Sequence, residues 1–593
     1  MIFGKTMNKY YLKYAPMLLL GLITLVTVDW LQLKIPHLYQ MVVNGINYNQ
    51  VDVNGQMLPF NMEFLLEHVC MPLLGIILLM VLGRFLWRVC FFGSAIRVEA
   101  DLRLRMFDRA KGLSAQFYER NKVGDMMSLF TNDLDTVQEC FGWGIMMFFD
   151  ALLLGVMAVI RMAEMDLLLT GLSLIPMALL LACATVVGRY MTKKWDIRQE
   201  AFSKLSDFSQ ESFSGIRVIK AFVKESIELM AFKKHNIDNE KANMDHTKAS
   251  VLMRILTTLF VESVVCIILG YGGYLVYKGK FNAGQLVEFV GYFTAIVWPV
   301  MAVSELIDMT SRGRASVNRI TRLLDETPDV KDREDAVPAE EIRGEIEFRN
   351  LTFRYPEGDY DALQEVSFHI APGESVGVVG ATGSGKTTLV ELLLRTYNVP
   401  DGTLFVDGKD VNEITIRSLR AGCAYVPQDN FLFSDTIANN IAFGVDAPEE
   451  AAVTEAAVLA DVDGNIREFP KAYQTILGER GVTVSGGQKQ RISIARALIK
   501  NAPILILDDS VSAVDVHTEK TILANLRATR EGKTTLLIAH RISTVEAMDK
   551  ILFMDNGRVL AFGSHEQLLE SCPAYAKTVR LQMLEAEGGD LNG

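Results

Sequence analysis

The stretch GATGSGKT at residues 380–387 combines residue types that bind a nucleotide phosphate. Its glycines allow the backbone to curve so that several N–H groups point at phosphate oxygens. It follows the apolar run SVGVV and precedes the helical pattern TLVELLLR, so a helix N-terminus adds a favourable dipole. In this arrangement Lys386 reaches the β- and γ-phosphates, and the hydroxyl of Thr387 binds Mg²⁺. The strand–loop–helix context argues against the alternative, a chance glycine-rich turn.

Two adjacent carboxylates end a second apolar run, ILILDD, at residues 504–509. Asp508 follows a predicted buried strand, where an acid holds the water shell of a magnesium ion. The next residue, Asp509, is a candidate for the group that activates water, although this kind of site usually has the longer side chain of glutamate. The sequence therefore predicts a magnesium carboxylate at Asp508 and leaves the role of Asp509 open at this point.

A second anion-binding helix start lies in VSGGQ at residues 484–488, where two glycines precede a helix rich in Arg and Ala. Because one phosphate loop already serves one nucleotide, this second start predicts that each nucleotide is held between two domains. Gln428 follows a short strand in YVPQD, and His540 follows the strand TTLLIA. A histidine at that place can donate a hydrogen bond to a γ-phosphate; the alternative is a structural histidine.

The composition divides the chain of 593 residues, which is too long for one hydrophobic core. Half of the residues are hydrophobic, and all five Trp lie in the first 300 residues, so the front half is predicted to be embedded in a membrane. The net charge of −12 argues against a general nucleic-acid binder, which needs a basic face. The seven Cys form no CxxC pair, which fits a reducing compartment or lipid.

Six apolar runs are long enough to span a bilayer. They lie at about residues 16–43, 68–93, 140–160, 166–188, 252–277 and 284–308. The first run is too long for a cleaved signal peptide. Lys5, Lys9 and Lys13 place the N-terminus in the cytoplasm, and the loop 44–67, which has no Lys or Arg, lies outside.

The basic segments 97–122 and 189–248 are predicted to be cytoplasmic. The second has apolar residues at three-residue spacing with charges between them, so the spans are expected to continue as helices into the cytoplasm. Breaks in the pattern at 117–125 and 214–222 are interpreted as turns at the tips of helical hairpins, with ordinary exposed loops as the alternative.

A change of character follows the last span. Residues 325–341 are acidic and contain two prolines, which predicts a linker. Beyond them short β-rich runs alternate with helical patterns, which indicates an α/β domain with a largely parallel core sheet. The predicted domains are a transmembrane domain at 1–324, a linker at 325–341 and a nucleotide-binding domain at 342–593.

The order and spacing of these features resemble an ATP-binding cassette (ABC) exporter half-transporter over nearly the whole chain. GATGSGKT resembles the family's Walker A motif, ILILD its Walker B motif and VSGGQ its signature motif, with Val484 where Leu is usual. SAVD at 512–515 resembles the D-loop, and GERG at 478–481 resembles the exporter-type segment before the signature. The resemblance implies an all-α membrane domain of six helices with long cytoplasmic extensions, followed by an α/β P-loop NTPase domain.

The resemblance also implies roles for individual residues. Asp509, His540 and Gln428 would serve catalysis, and Thr387, Gln428 and Asp508 would hold Mg²⁺. Contacts to ATP would come from Tyr355, which stacks on adenine, and from Gly380, Ala381, Thr382, Gly383, Ser384, Gly385, Lys386, Thr387, Thr388, Ser485, Gly486, Gly487 and Gln488. The tips at 117–125 and 214–222 would be coupling helices that press on the nucleotide-binding domains.

A further departure from the family pattern is Asp509, where the family usually has Glu. The shorter side chain withdraws the carboxylate by roughly 1 Å, and a misplacement of that size can cost about 10²-fold in rate. The signature motif is intact, and in this family it serves the partner's nucleotide. A heterodimer is therefore expected, whose second half-transporter carries the catalytic Glu, as in bacterial heterodimeric multidrug exporters. A slow homodimer is the alternative.

The expected substrate is a small amphipathic or hydrophobic compound, exported across a bacterial plasma membrane with the nucleotide-binding domain in the cytoplasm. Ionisable residues within spans are functional hypotheses by default, so Glu262 and then Asp29 are the predicted substrate contacts. Alternatives are a homodimeric lipid flippase or peptide exporter, and an ATP-gated channel or sensor that transports nothing. The processing type of peptide exporter is disfavoured because no peptidase domain precedes the first span. The fusion of spans to an ATPase argues against an importer, and the spans argue against a nucleic-acid ATPase.

Overall fold

The computed structural model describes residues 5–590 except 54, 479, 480, 482 and 513. The chain forms two compact units. The first comprises Met1–Gly112 and Lys122–Glu326, and the second comprises Leu113–Asn121 and Thr327–Gly593. The short segment Leu113–Asn121, which the sequence assigns to the transmembrane domain, thus groups with the second unit.

The first unit contains six apolar helical spans among the described residues, as predicted. They are Ala15–Tyr48, Met62–Lys111, Val123–Met165, Leu167–Ser214, Glu225–Tyr277 and Ala283–Asp325, and are called the first to the sixth span below. A shorter helix, Lys5–Lys13, precedes them. With 34 to 53 residues each, the spans are longer than the roughly 20 residues that cross a bilayer, so the predicted helical extensions are confirmed.

Local sequence chemistry sets several ends of these spans. The sixth span begins with a capping box, in which the Asn282 side chain accepts from the Gln285 backbone and the Gln285 side chain accepts from the Asn282 backbone. The fourth span is capped by Asp166, whose carboxylate accepts from the Leu169 backbone N–H at 2.7 Å. The first span consists of two helices, Ala15–Gln32 and Ile35–Tyr48, and Pro36 stands in the first turn of the second helix.

A small hairpin lies in the predicted outside loop. Strand β1 (Gln50–Val53) pairs antiparallel with β2 (Gln56–Pro59). The sequence analysis missed this hairpin, although Asn-Gly at 54–55 is a strong hairpin signal. The predicted tip at 214–222, between the fourth and fifth spans, contains a short helix, Ile216–Ala221.

The second unit contains two sheets. Its strands are β3 (Ile346–Phe353), β4 (Leu363–Ile370), β5 (Ser375–Gly380), β6 (Leu404–Val406), β7 (Lys409–Asp410), β8 (Cys423–Val426), β9 (Ile504–Asp508), β10 (Thr534–Ile538), β11 (Lys550–Asp555) and β12 (Arg558–Gly563). A six-stranded sheet has the order β12-β11-β5-β10-β9-β8, and a four-stranded sheet has the order β4-β3-β6-β7. In the larger sheet every pairing except β11 with β12 is parallel, which confirms the predicted largely parallel core.

The helices of the second unit are α1 (Ala115–Arg120), α2 (Lys386–Leu393), α3 (Ile416–Ala421), α4 (Ile437–Ala442), α5 (Glu450–Leu459), α6 (Asp463–Glu468), α7 (Gly486–Ile499), α8 (Val516–Thr529), α9 (Ile542–Val545), α10 (His565–Ser571) and α11 (Pro573–Asp590). The predicted linker at 325–341 contains no helix or strand after Asp325, apart from one bridge between Val337 and Ile414.

The strand register of the larger sheet fixes the place of the site. Ile538 at the end of β10 pairs with Val378 of β5 on one side and with Asp508 of β9 on the other. The carboxyl ends of these three parallel strands therefore meet at one edge, where ligands bind in open α/β sheets. Strands β5, β9 and β10 are buried, which explains their nearly continuous apolar sequences.

Candidate nucleotide and magnesium site

The phosphate loop runs from the end of β5 into the first turn of α2. Gly380 ends the strand, and a Cβ there would lie 2.2 Å from the Met554 carbonyl oxygen. Gly385 has a φ of +94°, and a Cβ there would lie 2.7 Å from Leu363. Both positions therefore require glycine, one for close backbone approach and the other for a left-handed conformation. The Ser384 hydroxyl is buried and has no hydrogen-bond partner among the described residues, which suits a phosphate acceptor.

Lys386 is held inside this loop. Its Nζ donates to the carbonyl oxygens of Gly380 at 3.0 Å and Ala381 at 2.9 Å. Burial lowers the pKa of Lys386, and the nearby carboxylates of Asp508 and Asp509 oppose that shift. The Lys386 ammonium group now bonds two neutral carbonyl oxygens, and a phosphate oxygen, which is charged, would accept a stronger hydrogen bond from it.

The groups expected to hold magnesium lie together. Thr387 Oγ1 donates to Asp508 Oδ1 at 3.4 Å, and Asp508 Oδ2 is buried without a partner among the described residues. Burial raises the pKa of Asp508, and the Thr387 hydroxyl and the charge of Lys386 oppose that shift. A hydroxyl and a carboxylate with one orphaned oxygen fit a hard cation that takes oxygen ligands. Gln428 lines the same cavity. When bound, Mg²⁺ would supply charge neutralisation to the phosphates.

Asp509 occupies an unusual backbone conformation with a φ of 47°. Aspartate tolerates this left-handed region better than most residues. Three backbone contacts hold it there, because its N–H donates to the Ile538 carbonyl at 3.0 Å and its carbonyl accepts from Gln490 and Ser512 at 3.1 and 3.0 Å. Its Oδ2 lies 3.9 Å from His540 Nε2, and its Oδ1 is buried without a partner among the described residues.

A cavity of about 450 Å³ gathers half of the residues predicted to contact ATP, together with all of those predicted to serve catalysis or to hold Mg²⁺. Predicted residues in its lining are Tyr355, Thr382, Gly383, Gly385, Lys386, Thr387, Thr388, Gln428, Asp508, Asp509 and His540. The cavity is also lined by residues that were not predicted, namely Tyr360, Asp361, Ala362, Gln364, Ile538, Asn556 and Gly557. Of these, Asn556 and Gly557 form the tight turn between β11 and β12, and Asp-Asn-Gly is a readable turn signal. No sequence signal places that turn beside the phosphate loop.

The second anion-binding helix start lies apart from this cavity. Ser485 caps α7, and its hydroxyl accepts from the Gln488 backbone at 3.3 Å while the Gln488 side chain accepts from the Ser485 backbone at 3.0 Å. None of the residues from Ser485 to Gln488 lines the 450 Å³ cavity. Two neighbouring predictions fall partly outside the described residues, because GERG includes 479 and 480 and SAVD includes 513.

The two predicted substrate contacts differ in exposure. Glu262 is exposed in the fifth span and has no hydrogen-bond or ion-pair partner in the part of the chain that the structure describes. Asp29 is buried in the first span beside the carboxyl group of Asp150 in the third span. Asp150 also accepts from Trp298 Nε1 at 2.9 Å. Asp29 is therefore part of a polar cluster inside the bundle.

An apolar cavity of about 980 Å³ lies in the first unit, between the third, fourth and sixth spans. Its lining includes Phe148, Leu181 and Ile307, and the polar residues Arg314 and Asn318 also line it. Neither Glu262 nor Asp29 lines it.

Comparisons with known proteins agree with this geometry. The family model described as the ABC transporter transmembrane region matches residues 18–300, and the model described as ABC transporter matches residues 363–512. The chain is also similar to a solved structure of a bacterial Atm1-family ABC exporter with ATP bound. The TM-score is 0.76 and the identity 27%, over 97% of this chain and 98% of that chain.

Curated relatives are similar over nearly the whole length. A probable multidrug resistance ABC transporter ATP-binding/permease protein of Bacillus subtilis, YheI, is 34% identical over 99% of this chain and 98% of its own. A multidrug resistance-like ATP-binding protein of Escherichia coli, MdlA, is 37% identical over 95% of this chain and 93% of its own. An ATP-dependent lipid A-core flippase of Syntrophus aciditrophicus is 34% identical over 83% of this chain and 82% of its own.

These findings confirm the predicted fold, ATP binding, and ATP hydrolysis coupled to transport. The six apolar spans and the exporter relatives make the chain a multi-pass membrane protein. The chain belongs to the ABC transporter family, as an exporter half-transporter that fuses the membrane domain to the nucleotide-binding domain.

Proposed function

We propose that this chain is one half of a heterodimeric exporter of amphipathic or hydrophobic compounds in a bacterial plasma membrane. The membrane domain is 1–324, the linker 325–341 and the cytoplasmic nucleotide-binding domain 342–593. The relatives named for multidrug resistance support this substrate class. The nucleotide site built on this chain holds MgATP for a long time and hydrolyses it slowly.

The placement of Asp509 carries the proposal of a slow site. Its carboxylate is the acid next to Asp508 in the cavity, yet one oxygen is buried and the other is 3.9 Å from His540 Nε2. A water-activating group must come within hydrogen-bond reach of its water, and aspartate provides one methylene less than glutamate. The proposed catalytic roles therefore stay with Asp509, His540 and Gln428, in a weakened arrangement.

The separation of the two anion-binding helix starts supports two nucleotide sites shared between two chains. The capped start at Ser485 is intact and stands away from the cavity around Lys386. Because ABC exporters act as dimers, this start serves the nucleotide on the partner's phosphate loop. The signature motif of this chain is intact although its own nucleotide site is slow. This combination fits a partner that carries the catalytic glutamate and whose nucleotide contacts this signature motif.

The subunit composition tests the heterodimer. Intact-mass analysis of the tagged chain, purified in mild detergent from its native membranes, should find a second half-transporter of similar mass in equal amount. Sequencing of that second chain should find glutamate at the position that matches Asp509. A pure homodimer with measurable ATPase activity would sink the proposal and favour the rival, a homodimeric lipid flippase, for which the lipid A-core flippase relative gives a specific reason.

Glu262 is the proposed contact for the cationic group of a substrate, with Asp29 second because its carboxylate is buried in this structure. The Glu262→Gln variant should lower the efflux of ethidium, a lipophilic cation, by about tenfold, which is equivalent to about 1.4 kcal/mol of lost ion pairing. Glu240→Gln is the matched control, because Glu240 is exposed on the same helix and lies outside the predicted membrane-spanning run 252–277. Unchanged ethidium efflux in the Glu262 variant removes that residue from the substrate path.

A further inference from the structure

Two carboxyl groups meet in the interior of the membrane domain, and they are called the acid pair below. Asp29 lies near the middle of the predicted run 16–43, and Asp150 lies near the middle of the run 140–160. Packing of the first span on the third brings their side chains within hydrogen-bond reach of each other. Both residues belong to the first compact unit. Ionisable groups at this depth are costly, which favours a functional role for the pair.

Asp29 is the more deeply buried member of the acid pair. It is 2% exposed, and no N–H or O–H group among the described residues donates a hydrogen bond to its buried Oδ2. Asp150 is half-buried and accepts from Trp298 Nε1 at 2.9 Å. A carboxylate inside a helical bundle needs hydrogen-bond donors or a counter-charge to be stable. The unpartnered oxygen therefore favours a proton or a cation as the ligand of the pair.

The charges around the acid pair indicate how many protons it binds. Arg84 of the second span acts electrostatically on both acids, and in the described part of the chain its guanidinium donates to Gln32 at 3.3 Å rather than to either carboxylate. The sixth span contributes the uncharged Trp298. Two carboxylates this close are not both ionised without a further cation. With one proton on the pair, a single carboxylate remains, and Arg84 balances its charge.

An apolar cavity adjoins the acid pair. Ala151 follows Asp150 in the third span, Pro299 follows Trp298 in the sixth, and both Ala151 and Pro299 line the 980 Å³ cavity. Arg314, which also lines the cavity, lies 16 residues beyond Trp298, or about 24 Å along the same helix. An amphiphile with its apolar part in this cavity would therefore have Asp150, the more exposed acid, beside a positive group at the cavity margin.

We propose that Asp29 and Asp150 share one proton, and that a monovalent cationic amphiphile displaces this proton when it binds. The O–H bond of the shared proton breaks, and water takes up the proton. The exchange keeps the cluster neutral, because two carboxylates then face Arg84 and the positive group of the ligand. The inference rests on the proposed function, within which it concerns Asp29, the second proposed substrate contact, and gives it a partner.

Ethidium binding to the full chain in its purified complex tests the inference at a series of pH values. The charge of ethidium resides on a quaternary nitrogen, so a pH dependence of its affinity comes from the protein. Release of one proton predicts an affinity that rises with pH by up to about tenfold per pH unit and levels off where the free pair has lost its proton. A pH indicator in weakly buffered solution should record up to about one proton released per ethidium bound. An affinity that is independent of pH overturns the inference.

Asparagine variants of the acid pair test whether it is the source of the proton. Asp150→Asn keeps the size of the side chain and an oxygen that accepts from Trp298, but it removes one of the two carboxyl groups. Arg84 then balances the remaining carboxylate of Asp29 without a proton. The variant should therefore lose both the pH dependence and the proton release. Asp29→Asn should give the same result and provides a second test should Asp150→Asn fold poorly.

Two other acids of the spans serve as comparisons. Glu164→Gln is the matched control, because Glu164 is an exposed acid of the same span as Asp150 and bonds Arg161 at 3.0 Å. It should keep the pH dependence of the parent. Glu262→Gln should weaken ethidium binding and also keep that dependence.

The outcomes separate this inference from the proposed function. PH dependence that persists in both asparagine variants of the acid pair, or that disappears in Glu262→Gln, overturns the inference and leaves the proposed function in place. If the parent complex binds no ethidium at any pH, the proposed function fails for cationic compounds, and the inference fails with it.

Discussion

Replacing Lys386 by alanine is expected to lower the affinity of this chain for MgATP by about 10²-fold or more. The ammonium group is buried beside Asp508 and Asp509, and within the described part of the chain its hydrogen-bond acceptors are two carbonyl oxygens. A charged hydrogen bond contributes about 1.5–3 kcal/mol, and the lysine of such a loop contacts two phosphates. The loss of both contacts therefore amounts to about 3 kcal/mol or more, which corresponds to this change in affinity.

Photolabelling with 8-azido-ATP, followed by location of the label on this chain, measures binding without interference from the partner's site. Lys500→Ala is the matched control. Lys500 is another lysine of the same unit and is half-buried, and its Nζ donates to the carbonyls of Arg420 and Cys423, outside the cavity. The control should keep its labelling. Normal labelling in the Lys386→Ala variant would mean that the nucleotide does not bind at this loop.

Lengthening Asp509 to glutamate is expected to raise the ATPase rate at this chain's site by up to about 10²-fold, because roughly 1 Å of misplacement costs that much. The present carboxylate has one buried oxygen without a partner among the described residues and another 3.9 Å from His540 Nε2, and one more methylene lengthens its reach. The left-handed backbone at a φ of 47° suits aspartate better than glutamate, which costs about 1 kcal/mol of stability.

Steady-state phosphate release from the purified complex measures this gain, and a thermal unfolding curve accounts for the backbone cost. Asp509→Asn is the control, because it keeps the size of the side chain and removes its charge. We expect the asparagine variant to release phosphate as slowly as the parent and the glutamate variant to release it faster. This result means that the parent site hydrolyses almost no ATP, and that the position of the Asp509 carboxylate is the cause. A glutamate variant no faster than the parent shows that another feature limits the site.

The sequence predicted the elements whose signals are local. Six apolar runs, the β-rich alternation after residue 341, and the motifs around Lys386 and Asp508 all depend on residues close together in the chain. The length of an apolar run is enough to predict a membrane span, and a glycine-rich loop before a helix is enough to predict a phosphate-binding loop, whatever packs around either element. The place of Asp508 beside Thr387 was predictable as well, since parallel strands end at one edge of the sheet.

The tertiary structure alone decided which distant segments meet. The turn at Asn556 and Gly557 lines the cavity because β11 pairs with β5, and strand order is not contained in the local pattern of either strand. Leu113–Asn121 groups with the second unit because Glu119 and Arg120 find partners more than 200 residues away. Asp29 was likewise a lone acid in the sequence, and packing of the first and third spans placed Asp150 beside it. Such contacts depend on how whole elements pack, so residue spacing along the chain does not reveal them.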